Sequence, residues 1–188
     1  MNTLRAIIDR RSIRKFQNKD IPQDMIAQLL ELAIKAPSGK NRQPWRFIVL
    51  RGQSKRELVK IMNQKVKLLK KQNLSVGSSE LSINTISEAP VVILVFNPFS
   101  KDEQNNNHNR LLMDTQSIGA AIQTMLLAAQ DIGLATLWIC DVFYSKREIC
   151  SWLNRRDELI AAIAIGYANQ SPFPRPRKDL SEVVEWLD

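Results

Sequence analysis

Apolar positions recur along this chain with two periods, and the changes between them mark out helices and strands. Thr3 to Asp9 reads as a short helix, with Asn2 or Thr3 as its cap and Leu4, Ile7 and Ile8 turned inward. After Asp20-Ile21, Pro22 fits a first helical turn, and Met25, Ile26, Leu29, Leu30, Ala33 and Ile34 return at helical spacing. That helix should stop near Ala36, because Pro37 disfavours helical geometry in the residue before it. Trp45 to Leu50 then reads as a strand. Lys55 to Lys71 follows as an amphipathic helix with Leu58, Ile61, Met62, Val66, Leu68 and Leu69 between its cations.

Asn73 to Glu88 is polar and is expected to be a loop with at most a helical turn, whereas Val91 to Phe96 is continuously apolar and β-branched, the pattern of a central strand buried on both faces. Lys101 to Asn109 is a polar connection. From about Arg110 to Ile132 runs the longest and least polar helix, whose small residues Gly119, Ala120, Ala121, Ala128 and Ala129 permit close helix packing; a core or dimer-interface position follows. Gly133 is its stop, Ala135 to Cys140 the next strand, and Ser145 with Glu148 a cap for a helix reaching Leu153. Leu159 to Tyr167 is a last strand, and the tail from Pro172 to Arg177 is extended, with a helical turn or two around Leu180–Trp186. With no internal repeat and no linker, residues 1–188 are expected to form one α+β domain.

Composition narrows the picture. Hydrophobic residues at 44% and charged residues at 24% describe an ordinary globular chain. The formal net charge of +8 favours anionic partners: nucleic acid, a membrane surface or phosphorylated small molecules. Few aromatics lie among the cations of Lys55–Lys71 or Arg10–Lys15, so a base-stacking platform for nucleic acid is poorly supported. Cys140 and Cys150 are too few for a disulfide framework or zinc site, and a lone histidine, His108, gives little basis for a triad or a histidine metal centre. The N-terminus lacks an apolar signal core and no run approaches a membrane span, so a cytoplasmic protein is expected.

Two stretches carry candidate chemistry. Arg10-Arg11-Ser12-Ile13-Arg14-Lys15-Phe16 gathers fixed donors suited to a phosphate, although a solvated basic turn has the same composition. Arg175 and Arg177 flank Pro176, and alternation in an extended segment points both the same way, toward one anion or into a free basic tail. Pro37-Ser38-Gly39-Lys40-Asn41 offers the mixed donors and acceptors that the edge of a planar heterocycle needs, with Gly39 allowing close backbone approach; an ordinary helix-to-strand turn would look similar. No Gly-x-Gly-x-x-Gly follows a strand and no Walker loop is present, so arginine side chains would have to hold any cofactor phosphate.

Taken in order, Arg10–Phe16, Ala36–Phe47 (Ala-Pro-Ser-Gly-Lys-Asn-Arg-Gln-Pro-Trp-Arg-Phe), Gly119–Ile139 and Pro174–Leu180 resemble the FMN-dependent nitroreductase family over nearly the whole chain. The resemblance implies a nitroreductase-like α+β fold, a mixed sheet wrapped by helices with a long central apolar helix and an extended C-terminal tail. It implies FMN as cofactor, NADH or NADPH as transient hydride donor, and ping-pong transfer to an acceptor such as a nitroaromatic or quinone. Reductive dehalogenation or flavin breakdown is the specialised alternative on the same scaffold. It further implies a homodimer with FMN at the interface.

Residue by residue, the resemblance assigns Arg10, Arg11, Ser12 and Arg14 to the FMN phosphate and ribityl end, with Arg177 and Arg175 closing on it, and Pro37, Ser38, Gly39 and Asn41 to the flavin ring. Ser117 matches a position that touches the flavin from the partner subunit, and Leu137, Trp138, Ile139 and Cys140 match the strand end whose backbone approaches the reactive side of the ring. No catalytic acid, base or metal is implied. The chain departs from commoner patterns at Gly39, where serine is frequent, at Arg175, where lysine is frequent, and at Cys140-Asp141, where glycine is common. The short connection Asn97–Asn109 implies that an extended substrate lid is absent.

Overall fold

The structure is a computed structural model that describes residues 3–99 and 108–187. Most of the Asn97–Asn109 connection, on which the expectation about a lid rests, lies outside the described residues, as does Asn2.

Four strands form one sheet in the order β1-β2-β4-β3: β1 (Arg46–Leu50), β2 (Val91–Asn97), β3 (Ala135–Ile139) and β4 (Glu158–Gly166). All three neighbouring pairs are antiparallel. The parallel component of the expected mixed sheet is confined, among the described residues, to a single bridge between Ser12 and Thr136. β2 is buried along its whole length, as its unbroken apolar run predicts, because helices cover both faces.

Alternation along the strands sorts the core into two layers. Val92, Leu94 and Phe96 of β2 face α3 (Gly52–Lys71), α4 (Ser79–Glu88) and α6 (Lys146–Trp152), meeting Leu58, Met62, Ile86 and Ile149. Val91, Ile93 and Val95 face α2 (Gln23–Ala33) and the 24-residue α5 (His108–Asp131), meeting Leu29, Ile118, Ile122 and Met125. Gly133, at φ +79°, ends α5 in the left-handed conformation that glycine adopts without steric cost. No described helix is long and apolar enough to cross a membrane.

Three expectations are corrected. Residues Asn73–Glu88 are not mainly loop: α4 occupies the second half, and its buried face includes Ser79, Ser82 and Thr85 beside Ile83 and Ile86, which hides the helical period from a reading of apolar positions. Thr85 Oγ1 donates to the Leu81 carbonyl at 2.9 Å and Ser82 Oγ to Asp141 Oδ2, whereas Ser79 Oγ is buried with no hydrogen-bond partner among the described residues. Ser145 precedes α6 but makes no side-chain cap, since a 3₁₀ turn over Asp141–Ser145 already leads into the helix. In α1 (Thr3–Asp9) only Ala6 is buried, and Leu4, Ile7 and Ile8 are exposed at 68%, 54% and 65%.

The basic helix α3 buries Leu58, Met62 and Val66, and much of its charge is engaged locally. Lys65 pairs with Glu148, Lys70 with Glu80 and Lys60 with Glu57, while Lys55 donates to the Ser87 carbonyl at the end of α4.

Candidate functional site

The arginine turn is sewn onto the sheet rather than left in solvent. Ile13 N–H donates to the Thr136 carbonyl of β3 at 3.0 Å, Gln17 N–H to Tyr167 O at 2.9 Å, and Asn169 N–H to Lys15 O at 2.9 Å. Ile13 and Phe16 are buried between these bonds as anchors. Gly166 makes room for Phe16: a Cβ there would lie 2.6 Å from the ring. With these residues fixed inward, the polar members of the turn are left at the surface, where they form the wall of a cavity.

That cavity, about 670 Å³, is lined by Arg10, Arg11, Ser12 and Arg14 from one end of the chain, Arg175 and Arg177 from the other, and the apolar Ile7, Ile8 and Phe173. Both tail arginines thus line one cavity together with the N-terminal cluster. Arg11 donates to the Ile8 and Arg10 carbonyls, Arg14 to Ser12 O and Arg177 to Arg175 O, and none of the five arginines pairs with a carboxylate among the described residues. Burial depresses the Arg10 pKa, and the charges of Arg177 and then Arg11 depress it further. A cavity walled by uncompensated guanidinium groups fits a phosphate: it supplies charge-assisted donors in number and gains most when a dianion relieves their repulsion.

A second cluster forms around the start of α5. Gly39 N–H donates to Ser117 Oγ at 3.3 Å, and a Cβ on Gly39 would lie 3.0 Å from the Met113 methyl, so the glycine is packed closely against the helix. Ser38 Oγ accepts from Gln43 N–H at 3.0 Å. Lys40, Asn41 and Gln43 have φ of 53°, 52° and 50°, a left-handed geometry that costs a residue other than glycine roughly 1–2 kcal/mol, less for asparagine. Arg42 meets Asp114 through two bonds, Nε to Oδ1 at 3.1 Å and Nη2 to Oδ2 at 3.3 Å, with its guanidinium 4.8 Å from the centre of the Phe99 ring. Pro37 and Asn41 are exposed at the edges of this loop.

β3 is bridged to the arginine turn at Thr136 and meets α5, which carries part of the second cluster, through Trp138. Leu137 and Ile139 point into the core, so their side chains do not reach a ligand, and only their backbone is available. Trp138 is on the opposite face, 3.7 Å from where a Gly119 Cβ would stand, and the small residue gives the indole its place on α5. Cys140, beyond the strand end, is exposed. Its thiol pKa is raised by partial burial and by the Asp141 charge, against a hydrogen bond with Trp138 that lowers it.

The residues singled out in sequence therefore gather in two places. Arg10, Arg11, Ser12, Arg14, Arg175 and Arg177 share the cavity, with Leu137–Cys140 beginning beside the Ser12–Thr136 bridge; Pro37, Ser38, Gly39 and Asn41 sit with Ser117 and do not line that cavity. Missed by the sequence reading were Ile7, Ile8 and Phe173 on the cavity wall and the Arg42–Asp114 pair. Asp114 stands out in sequence only as an acid one turn before Ser117 in a helix whose other acid is its C-terminal Asp131, and nothing there names Arg42 as its partner.

A sequence model described as the nitroreductase family matches residues 7–167. The chain belongs to that family. A Bacillus subtilis protein named as an NAD(P)H nitroreductase, YfhC, is 27% identical over 186 residues, covering 96% of this chain and 92% of that protein. Iodotyrosine deiodinase 1 of Sus scrofa is 28% identical over 188 residues, covering 93% of this chain. The chain spans 65% of the deiodinase and 60% of a 30% identical Methanothermobacter thermautotrophicus relative, under two thirds of their lengths, and 73% of this chain is covered in the latter match. Among solved structures, a Desulfovibrio desulfuricans nitroreductase-type protein in complex with FMN superposes with a TM-score of 0.79 at 28% identity, over 100% of this chain and 98% of the other. The nitroreductase-like α+β fold expected from sequence is thus the fold found.

Proposed function

We propose that this chain is an FMN-dependent oxidoreductase that takes reducing equivalents from NADH or NADPH and passes them to a small acceptor such as a nitroaromatic or quinone. The observation that carries the reading is the cavity in which five arginines and Ser12 converge without a carboxylate partner among the described residues. The FMN complex of the D. desulfuricans relative supports the choice of phosphate-bearing ligand. In this reading Arg10, Arg11, Ser12, Arg14, Arg175 and Arg177 bind the phosphate and ribityl end. Pro37, Ser38, Gly39, Asn41 and Ser117 border the ring, and the backbone of Leu137–Cys140 approaches it.

When bound, FMN supplies hydride exchange with donor and acceptor, and the protein's share is to bind, orient and shield. The arginines neutralise the phosphate, and the Ser38–Asn41 loop presents backbone donors and the Asn41 amide to ring heteroatoms. Since Ser117 is bonded to Gly39 of its own chain, the loop and Ser117 reach a flavin from the same subunit. Neither lines the arginine cavity of that chain. A homodimer in which one protomer's arginines and its partner's loop meet would complete the site. The exposed Ile7, Ile8 and Phe173 beside the cavity support such an assembly, because lone apolar patches of this kind are usually covered.

The deiodinase match favours one alternative, reductive dehalogenation on the same cofactor. The first test is the visible spectrum of freshly purified protein, with heat release and chromatography of the chromophore. Released FMN at about one per chain is expected, and a colourless protein that refuses added FMN would overturn the reading. Turnover with a panel of quinones, nitroaromatics and halogenated phenols then separates general reduction from dehalogenation.

A further inference from the structure

The loop over residues 38–43 holds a backbone it would not choose alone. Left-handed φ values at Lys40, Asn41 and Gln43 surround Arg42, whose N–H closes back on the Gly39 carbonyl at 3.2 Å. One face of α5 supplies three tertiary anchors: Met113 packs on Gly39, Asp114 takes the Arg42 fork, and Ser117 accepts the Gly39 N–H. Asp114 is only 3% exposed. A charge pair at such a site is weak evidence for stability, because apolar residues of similar volume often serve as well; what a bidentate fork adds is a fixed direction and register.

We propose that the Arg42–Asp114 pair is a latch that sets the backbone of residues 38–43, so that Arg42 and Asp114 are positioning residues for the ring edge of a bound flavin. Neither needs to touch it. The proposal rests on the FMN reading for its functional consequence, but its structural core does not. Phe99, just past the end of β2, lies against the guanidinium and ties the latch to the sheet as well as to α5.

The experiment compares Asp114→Asn, Arg42→Lys and Arg42→Gln with the unaltered protein, using FMN and riboflavin as probes. The latch acts at the ring, so each variant should lose at least tenfold in affinity for both flavins with their affinity ratio kept; Arg177→Ala should weaken FMN alone. The visible circular dichroism of bound flavin should change in the latch variants. Arg42→Lys, which keeps the charge without the fork, serves if the others fold poorly. Full affinity with an unchanged flavin spectrum, or loss of FMN binding with riboflavin binding intact, would overturn the proposal. A second readout needs no flavin: tryptic cleavage after exposed Lys40 in apo-protein should be several-fold faster in Asp114→Asn at equal global stability. An unchanged cleavage rate overturns the latch. Failure of the unaltered protein to bind either flavin counts against the FMN reading instead, and the cleavage assay then decides the latch by itself.

Discussion

Arg177, near the end of the chain, stands close enough to Arg10, near its start, to lower that guanidinium's proton affinity beyond the larger effect of burial. Like charges held together across a cavity store a repulsion that an anion releases. Arg14→Ala or Arg177→Ala should therefore weaken FMN binding by about 1.5–3 kcal/mol, the value of a hydrogen bond to a charged group. This corresponds to roughly 10- to 150-fold in dissociation constant, read by titration of flavin fluorescence. Unchanged affinity in both variants would remove the phosphate assignment. Inorganic phosphate should also raise the melting temperature of the apo-protein, and by less in either variant, because only the folded state gathers the arginines.

α1 turns an apolar face, Leu4, Ile7 and Ile8, to the surface of the chain. Ile8 is exposed beside the cavity, and at the other end of the chain Trp186 is 81% exposed. If a second copy covers these groups, Ile8→Glu places a charge in an apolar contact and should shift the protein from dimer to monomer in size-exclusion chromatography with light scattering. FMN affinity should fall with it, since the loop side of the site would then be lost. A monomeric unaltered protein that still binds FMN tightly would show that one chain is enough.

The strands and the helices with clean apolar spacing were legible because their faces are simple: β2 has no polar residue before Asn97, and α5 carries its apolar stripe over most of its length. The arginine cluster was legible as residue types but shares its composition with a solvated basic turn, and the cavity needs both ends of the chain, which only the fold brings together. Three things resisted. In α4, serine and threonine replace apolar residues on the buried face, so no period survives. In α1 the period is present but its face is outward, and one chain's sequence does not tell which surface an apolar face will meet. The Arg42–Asp114 pair joins positions far apart in sequence, and nothing local to either residue names the other.

Gly166→Ala should destabilise the fold and disturb the arginine turn together. The added methyl would come within 2.6 Å of Phe16 Cδ1 and 2.7 Å of Pro90 Cδ, and neither ring can step aside easily, Phe16 being buried and bridged to Ala168. Overpacking of this kind costs about 1–3 kcal/mol. For a domain of this size each kcal/mol lowers the melting temperature by roughly 2–4 °C. Phe16→Leu in the same chain should recover part of the loss, and the two changes should be non-additive in a double-mutant cycle. Additive losses would mean that the clash is relieved elsewhere.

Cys140 gives the pH prediction. Its pKa is raised chiefly by burial and secondly by Asp141, so the thiol should stay protonated at neutral pH and react slowly with iodoacetamide despite its exposure. In a Cys150→Ser background the alkylation rate should rise with a midpoint above that of free cysteine, about 8.5. The sign for stability follows from the same shift. Below the unfolded-state pKa both states hold the proton and the thiol's contribution is complete; as pH rises through the higher folded value that contribution is lost, because the unfolded chain ionises more readily. Asp141→Asn removes the second cause and leaves the first, so it should move the midpoint down only part of the way. A midpoint at or below that of free cysteine in the unaltered protein would mean that the Trp138 hydrogen bond outweighs burial and Asp141 together, and that Cys140 offers a ready thiolate at the strand end nearest the proposed flavin.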